Sequence, residues 1–151
     1  ADDTYGLGDW EFVPSSTSGM LSQVERAARK NKWIVFQAWE PHWMVIEWDL
    51  KFLEDPEEIW PGHGRNTDVW TVIHTGFEEQ HPNVVKFLEQ IKVLPEWQSQ
   101  WIYDFSYEKK DQDEVAREWI QENMDVITMW TYGVTSVDGE RARDVLRAEF
   151  Q

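Results

Sequence analysis

The sequence contains no cysteine, so disulfide bonds are excluded as a source of stability. It also has no run of about 18 apolar residues, and we therefore expect no segment that crosses a membrane. Basic residues are few, because 14 Lys and Arg stand against 29 Asp and Glu, and the formal net charge is −15. Phosphate groups would be repelled by this charge, which argues against nucleic acid and anionic membrane surfaces as partners. A cationic ligand is permitted, and so is a charge that serves only solubility.

A signal peptide is missing as well. The first ten residues, ADDTYGLGDW, have no basic segment followed by an apolar one. We therefore expect either a cytoplasmic protein or a protein whose leader lies outside this sequence.

The common motifs of catalysis and metal binding are absent too. The sequence has no GxSxG, no Walker-type loop and no dinucleotide-binding glycine pattern. None of the histidines forms an HxH or HExxH pattern; they are His42, His63, His74 and His81. Paired carboxylates such as Glu54 and Asp55 carry little information in so acidic a chain. We predict no catalytic residue, no metal and no cofactor.

The apolar patterns that are present predict an α/β protein. Residues 10–13 and the run WIVFQA at 33–38 have the length and composition of strands, as do residues 69–75. Between the first two, apolar residues at helical spacing predict a helix that ends near Lys30. Ser16 or Ser18 is placed to cap it, which is the commoner role for such serines than anion binding at a helix N-terminus.

The second half of the sequence predicts helices. Pro82 and Pro95 are suited to the first turn of one helix each. Apolar residues recur at helical spacing from 116 to 130, with Gly133 as a possible C-cap. A last helix is predicted around residues 142–146.

The stretch WEPHWM contains the most unusual arrangement of side chains. Trp39 and Trp43 follow a strand of the buried type, and Pro41 prevents the chain from continuing as a helix. A tryptophan at the end of a strand can offer its π-face to a quaternary ammonium group, and His42 beside it can donate a hydrogen bond to a carboxylate. Packing of the tryptophans under the next loop is the alternative interpretation.

The blocks WIVFQAWEPHWM and DLKFLEDP resemble the substrate-binding proteins of ABC importers for glycine betaine, choline and related compatible solutes. The segments VPSSTSGMLSQVERAARKNKWIVF and HTGFEEQHPNVVKFL are similar to the same family. The resemblance covers about residues 5 to 130. The loop WPGHGRNTD, which contains Trp60, His63 and Arg65, has no counterpart that we can match.

The resemblance implies a non-enzymatic, extracytoplasmic or periplasmic receptor with a two-lobed α/β sandwich of the type II periplasmic-binding class. It implies that Trp39 belongs to an aromatic box around the methylated ammonium, that His42 meets a carboxylate and that Trp43 forms a wall. Choline-type members often lack the tryptophan at position 43, so WEPHWM favours betaine-like ligands, with trimethylamine N-oxide and sulfonium acids as further possibilities. The membrane permease of the importer is the implied partner.

The length of the chain implies that it is the C-terminal part of such a receptor. Residues 1–38 would end one lobe, residues 39–151 would cross into the other, and an N-terminal half would supply the remaining aromatic walls. A different class of function stays open from the residues alone: with 11 Trp, the chain could be a carbohydrate-binding module or part of a glycosidase.

Overall fold

The computed structural model of the chain describes residues 4–59 and 69–150, so the loop around Trp60 lies outside the described residues. By its internal contacts the chain divides into two compact units, Ala1–Ala38 and Trp39–Gln151. No helix in the described ranges is long and apolar enough to span a membrane. The α-helices are α1 (Thr17–Arg29), α2 (Met44–Glu47), α3 (Phe77–Gln80), α4 (Pro82–Gln90), α5 (Pro95–Ile102), α6 (Gln112–Glu122), α7 (Met124–Trp130) and α8 (Ala142–Phe150); a π-helix, Tyr103–Tyr107, follows α5 directly.

The first unit is built on α1, which begins where the serines predict. The side chain of Ser16 accepts a hydrogen bond of 3.2 Å from the backbone N–H of Gly19, as an N-cap residue does. Arg26 and Arg29 occupy the last turn, where a positive charge interacts favourably with the negative end of the helix dipole. The prediction that Ser16 or Ser18 caps this helix is confirmed, and the cap is Ser16.

The predicted strands do not form a sheet in the part of the chain that the structure describes. Residues 10–13, 33–38 and 69–75 have no strand ladder, and the bridge between Thr135 and Arg141 is isolated. A strand exists only if a neighbour accepts and donates its backbone hydrogen bonds, and no described segment does this for them. Their apolar side chains are consequently exposed, Trp33 by 94% and Val69 by 94%.

In the second unit, polar side chains of α4 form hydrogen bonds with the backbone of the segment that follows α7. Asn83 donates to the carbonyl of Thr135 at 2.7 Å and accepts from the N–H of the same residue at 3.0 Å. Lys86 donates to the carbonyl of Gly133, whose φ of +66° is readily adopted only by glycine. A Cβ at Gly133 would lie 2.9 Å from Lys86 Nζ, the end of a flexible side chain that can move away, so it is the backbone conformation that favours glycine here.

The helix predicted across 116–130 is in fact two helices. Asp111 caps α6 by accepting from the N–H groups of Asp113 and Glu114, and Asn123 separates α6 from α7. The side-chain amide of Asn123 donates to the carbonyl of Trp119 at 2.8 Å. Asparagine competes in this way with the backbone bonds of a helix, which apolar periodicity alone does not reveal.

Four tryptophans from three helices form the aromatic centre of this unit. The rings of Trp119 and Trp130 stack with centroids 5.5 Å apart, and Trp97 and Trp101 approach Trp119 edge-on at 5.3 and 4.9 Å. An apolar cavity of about 520 Å³ lies beside the cluster, and its described lining contains no charged residue. These rings contact each other, so they stabilise the fold and do not form a flat platform.

Trp119→Ala should therefore lower stability more than the loss of any exposed tryptophan. Because the half-buried ring contacts three others, we expect a loss of about 3 kcal/mol, at the lower end of the usual range for such truncations. Trp70→Ala is the matched control, since Trp70 is 78% exposed and its loss should cost no more than about 0.5 kcal/mol. Urea denaturation of the two variants measures the difference, and equal losses would contradict the assignment of the cluster to the core.

Candidate functional site

The turn at residues 39–43 joins the extended segment before it to helix α2. The peptide bond between Glu40 and Pro41 is cis, and regular helix begins at Met44. His42 and Trp43 already accept helical hydrogen bonds, because the N–H of Val45 points to the His42 carbonyl and that of Ile46 to the Trp43 carbonyl. The WEPHWM motif is therefore a turn followed by a helix start.

The side chain of His42 supports the start of this short helix, whose N-cap residue is Trp43. Its Nδ1 accepts a hydrogen bond of 3.2 Å from the backbone N–H of Met44. An acceptor nitrogen carries no hydrogen, so the ring hydrogen lies on Nε2 when the imidazole is neutral. Met44 is 0% exposed, so water is a poor substitute for this acceptor.

A second hydrogen bond fixes the backbone of the same residue. The N–H of His42 donates to Ser99 Oγ at 3.3 Å, across 57 positions of sequence. Ser99 lies in α5 and is 3% exposed. The turn is thus held by two hydrogen bonds of His42: its backbone N–H donates to a buried hydroxyl, and its side chain accepts from the first residue of α2.

One face of α5 and the π-helix lies along α2. Ser99, Tyr103 and Tyr107 are spaced four residues apart, and each of them contacts the turn or the helix after it. The hydroxyl of Tyr103 donates to Glu47 Oε2 at 3.3 Å, and the ring of Tyr107 lies 4.9 Å from that of Trp43. The wider turn of the π-helix, closed by the bond from Glu108 N–H to the Tyr103 carbonyl, keeps the two tyrosines stacked.

The aromatic rings form a continuous row with Trp39 at one end. The centroid of His42 lies 5.0 Å from that of Trp39 and 5.2 Å from that of Trp43. Trp43 also contacts Trp48 at 5.2 Å, and its ring is enclosed by aromatic neighbours. Trp39 is 38% exposed. The two tryptophans of the motif therefore differ: Trp43 packs among other rings, and Trp39 is the more exposed.

The charge states of the site follow from burial. Partial burial lowers the pKa of His42, because it disfavours the charged imidazolium. Desolvation, together with the carboxylates of Glu108 and Glu47, raises the pKa of Tyr103. At neutral pH the site therefore combines an uncharged imidazole that donates through Nε2–H with a protonated phenol that donates to Glu47.

This arrangement can hold a methylated cation against an indole ring next to a hydrogen-bond donor. Cations without N–H groups are attracted to the electron-rich face of tryptophan, and an oxygen on the same ligand can accept from His42. The apolar cavity beside Trp119 has a volume of about 520 Å³, but the polar residues of its described lining are the uncharged Gln112 and Thr131. A zwitterion would leave its charges unmatched there, so the turn at Trp39 is the better candidate.

Sequence reasoning brought out Trp39, His42 and Trp43, and the structure places the three rings in contact. It missed Glu47, Ser99, Tyr103 and Tyr107. The recurrence of Ser99, Tyr103 and Tyr107 at every fourth position after Pro95 is the signal that could have indicated a common helical face. Within the DLKFLEDP block, Asp55 is buried and accepts from the N–H of Ile59 at 3.1 Å, which is a turn-forming role.

An NMR titration of His42 should give a pKa below the ordinary value of 6.5. Since the pKa is lowered in the folded state, the neutral ring contributes stability above pH 6.5, and this contribution is lost as the pH falls through the folded-state pKa. His42→Asn identifies the resonance, and its stability should lack this part of the acid dependence. A His42 pKa of 6.5 or above would contradict the capping geometry.

Comparison with known proteins identifies the relatives of this chain. Residues 1–122 match the model of the substrate-binding domain of ABC-type glycine betaine transport systems. The glycine betaine/carnitine transport binding protein GbuC of Listeria monocytogenes is 33% identical over 141 residues, which are 92% of this chain and 46% of that protein.

Solved structures agree with the sequence comparison. An ABC-transporter choline-binding protein in complex with choline superposes with a TM-score of 0.67 at 27% identity, over 99% of this chain and 52% of that one. The unliganded semi-closed form gives a TM-score of 0.63 at 27% identity, over 98% of this chain and 51% of that one. These neighbours are consistent with the type II periplasmic-binding fold, and the chain spans about half the length of the relatives it matches.

The relatives are described as binding proteins of transport systems. The family match covers most of the chain, including the turn that carries Trp39 and His42. The chain belongs to the family of substrate-binding domains of ABC-type glycine betaine transport systems.

Proposed function

We propose that this chain is part of the extracytoplasmic receptor of an ABC importer and binds glycine betaine or a related methylated ammonium or sulfonium solute. The observation that carries the proposal is the exposed ring surface of Trp39 in contact with His42, in a chain of this family. The ring receives the methylated cation, and His42 donates to the oxygen at the other end of the solute.

The physics of such a solute explains why tryptophan is suited to this task. A trimethylammonium group has no N–H to donate, and its charge is spread over its methyl groups. An aromatic face attracts that charge and also covers the methyl surface, with an attraction of about 2 kcal/mol when water is excluded. A carboxylate in the same place would have to give up its own hydration to approach methyl groups.

The relatives guide the choice of solute. GbuC is named for glycine betaine and carnitine, and the structural neighbour for choline. All three ligands carry a trimethylammonium group, and betaine and carnitine add a carboxylate that accepts hydrogen bonds. A histidine that donates beside Trp39 therefore favours the carboxylate-bearing solutes, with Trp43 as a supporting wall behind His42.

The remaining walls of the box would come from a second half of the receptor. The units 1–38 and 39–151 would belong to the two lobes, which close on the solute and present it to the membrane permease. Exposed apolar segments at residues 33–38 and 69–75 support this view, because they have strand composition and no described partner. Strands from the other half of the receptor would pair with them and complete an α/β sandwich.

The carbohydrate alternative has no comparable support. Sugar-binding tryptophans present flat faces to solvent, whereas Trp97, Trp101, Trp119 and Trp130 turn their rings towards one another.

The 151-residue chain by itself should bind glycine betaine more weakly than micromolar. One aromatic contact of about 2 kcal/mol falls far short of the roughly 8 kcal/mol that a micromolar Kd requires. Isothermal calorimetry on the chain measures this directly, with the full-length gene product as the positive control. Micromolar binding by the chain alone would show that the box is complete within it.

Trp39→Ala in the full-length receptor should weaken betaine binding by about ten- to thirtyfold, as expected for the loss of about 2 kcal/mol of cation–π attraction. Trp119→Ala is the control, since it lies in the tryptophan cluster and should change the melting temperature more than the Kd. Circular dichroism establishes that each variant is folded before titration. A Kd for Trp39→Ala equal to that of the wild type would remove Trp39 from the site.

A further inference from the structure

The two ring nitrogens of His42 have different surroundings. Nδ1 accepts the N–H of Met44 at 3.2 Å, next to a side chain that is 0% exposed. Nε2 is the remaining polar atom of the ring, and the ring lies against Trp39 with centroids 5.0 Å apart. One nitrogen is therefore committed to the fold, and the other is left as the ring's donor beside Trp39.

The Met44 N–H does not permit the alternative forms of the ring. If Nδ1 carried a hydrogen, as in the other tautomer or in imidazolium, two N–H groups would point at each other. The buried N–H of Met44 would then lose its acceptor, and an unsatisfied buried donor is costly. Asp and Asn commonly supply a side-chain oxygen to the N–H two residues further on; histidine here supplies Nδ1 and adds a second nitrogen on the other side of the ring.

The backbone of His42 is held from the opposite side. Ser99 is 3% exposed, and its hydroxyl accepts the His42 N–H at 3.3 Å. With the backbone fixed by α5 and the ring fixed by the first turn of α2, the direction of Nε2–H is set before any ligand arrives. A donor that is oriented in advance loses little conformational entropy on binding.

We propose that the Met44 N–H and Ser99 together lock His42 as an Nε2–H donor, so that the site selects solutes whose second end is a hydrogen-bond acceptor oxygen. This inference rests on the proposed function and adds how the donor is specified. His42 is the contact residue in it, and Ser99 is a positioning residue. A solute with a carboxylate offers only acceptors and matches the fixed donor in any rotation, whereas the hydroxyl of choline must turn its hydrogen away.

Two substitutions test the roles of the two ring nitrogens one at a time, because Asn places an oxygen near the position of Nδ1 and Gln places an amide near the position of Nε2. His42→Asn should keep the hydrogen bond from the Met44 N–H, with a folding equilibrium constant within about threefold of the wild type, and should weaken betaine binding by about ten- to a hundredfold. His42→Gln should lose that hydrogen bond, with a folding constant lower by about tenfold or more, and should bind betaine more tightly than His42→Asn. Both are made in the full-length gene product and followed by urea denaturation and calorimetry.

The tautomer itself is read from the imidazole nitrogens of the wild type. Long-range ¹H–¹⁵N spectra at pH 7.5 should show a hydrogen-bearing Nε2 and a bare Nδ1, with His42→Asn identifying the signal. A hydrogen on Nδ1, or equal destabilisation by Asn and Gln, would overturn the proposal. If both variants behave as expected in folding and neither changes betaine binding, the lock stands and the proposed solute site is wrong.

Ser99 is tested by a pair that keeps or removes its hydroxyl. Ser99→Ala should raise the Kd for betaine by about tenfold, and Ser99→Thr should restore it to within about threefold of the wild type. The ¹⁵N shifts of His42 supply the readout that a merely structural role would not move, since they should change in Ser99→Ala and not in Ser99→Thr. Unchanged shifts and an unchanged Kd in Ser99→Ala would remove Ser99 from this role.

Discussion

The backbone N–H of Met44 is the constraint on which the geometry of the candidate site depends. Met44 is the first residue of α2, and its side chain is fully buried, so an unpaired N–H group would be costly there. The N–H group donates instead to Nδ1 of His42. That single hydrogen bond determines which nitrogen of His42 is bare, where the ring lies and which surface it shares with Trp39. The neutral charge state follows as well, because burial and an N–H donor at Nδ1 both oppose protonation.

Helix α5 and the π-helix, which lie later in the chain, contact this turn and the helix after it. Ser99, Tyr103 and Tyr107 lie on one helical face, and they contact the backbone of His42, the carboxylate of Glu47 and the ring of Trp43 in that order. The opposite side of α5 carries Trp97 and Trp101 into the tryptophan cluster. The helix therefore connects the tryptophan cluster to the turn.

Sequence alone predicts the local features that depend on neighbours along the chain. The cap at Ser16 and the helix starts at Pro82 and Pro95 are confirmed, because each is a property of one turn of helix. The strand at 33–38 fails for the opposite reason, since a ladder needs a partner that composition cannot supply. Within the site, the motif drew attention to Trp39 and His42, whereas Ser99 lies 57 positions away and only the fold brings it near.

A neutral donor also fits the proposed receptor, which would have to release its solute. Imidazolium would add a Coulomb attraction to a carboxylate that strengthens as the closing site excludes water, and it would leave the Met44 N–H facing another N–H group. The neutral imidazole would orient the carboxylate without that extra attraction. The cation would bind to the face of the tryptophan ring with moderate affinity. In the proposed receptor, the free energy of binding would come from several walls and would be lost when those walls separate. The buried turn would then set the orientation of His42 and closure would set the strength of binding, with the residues that fix His42 buried and Trp39 more accessible.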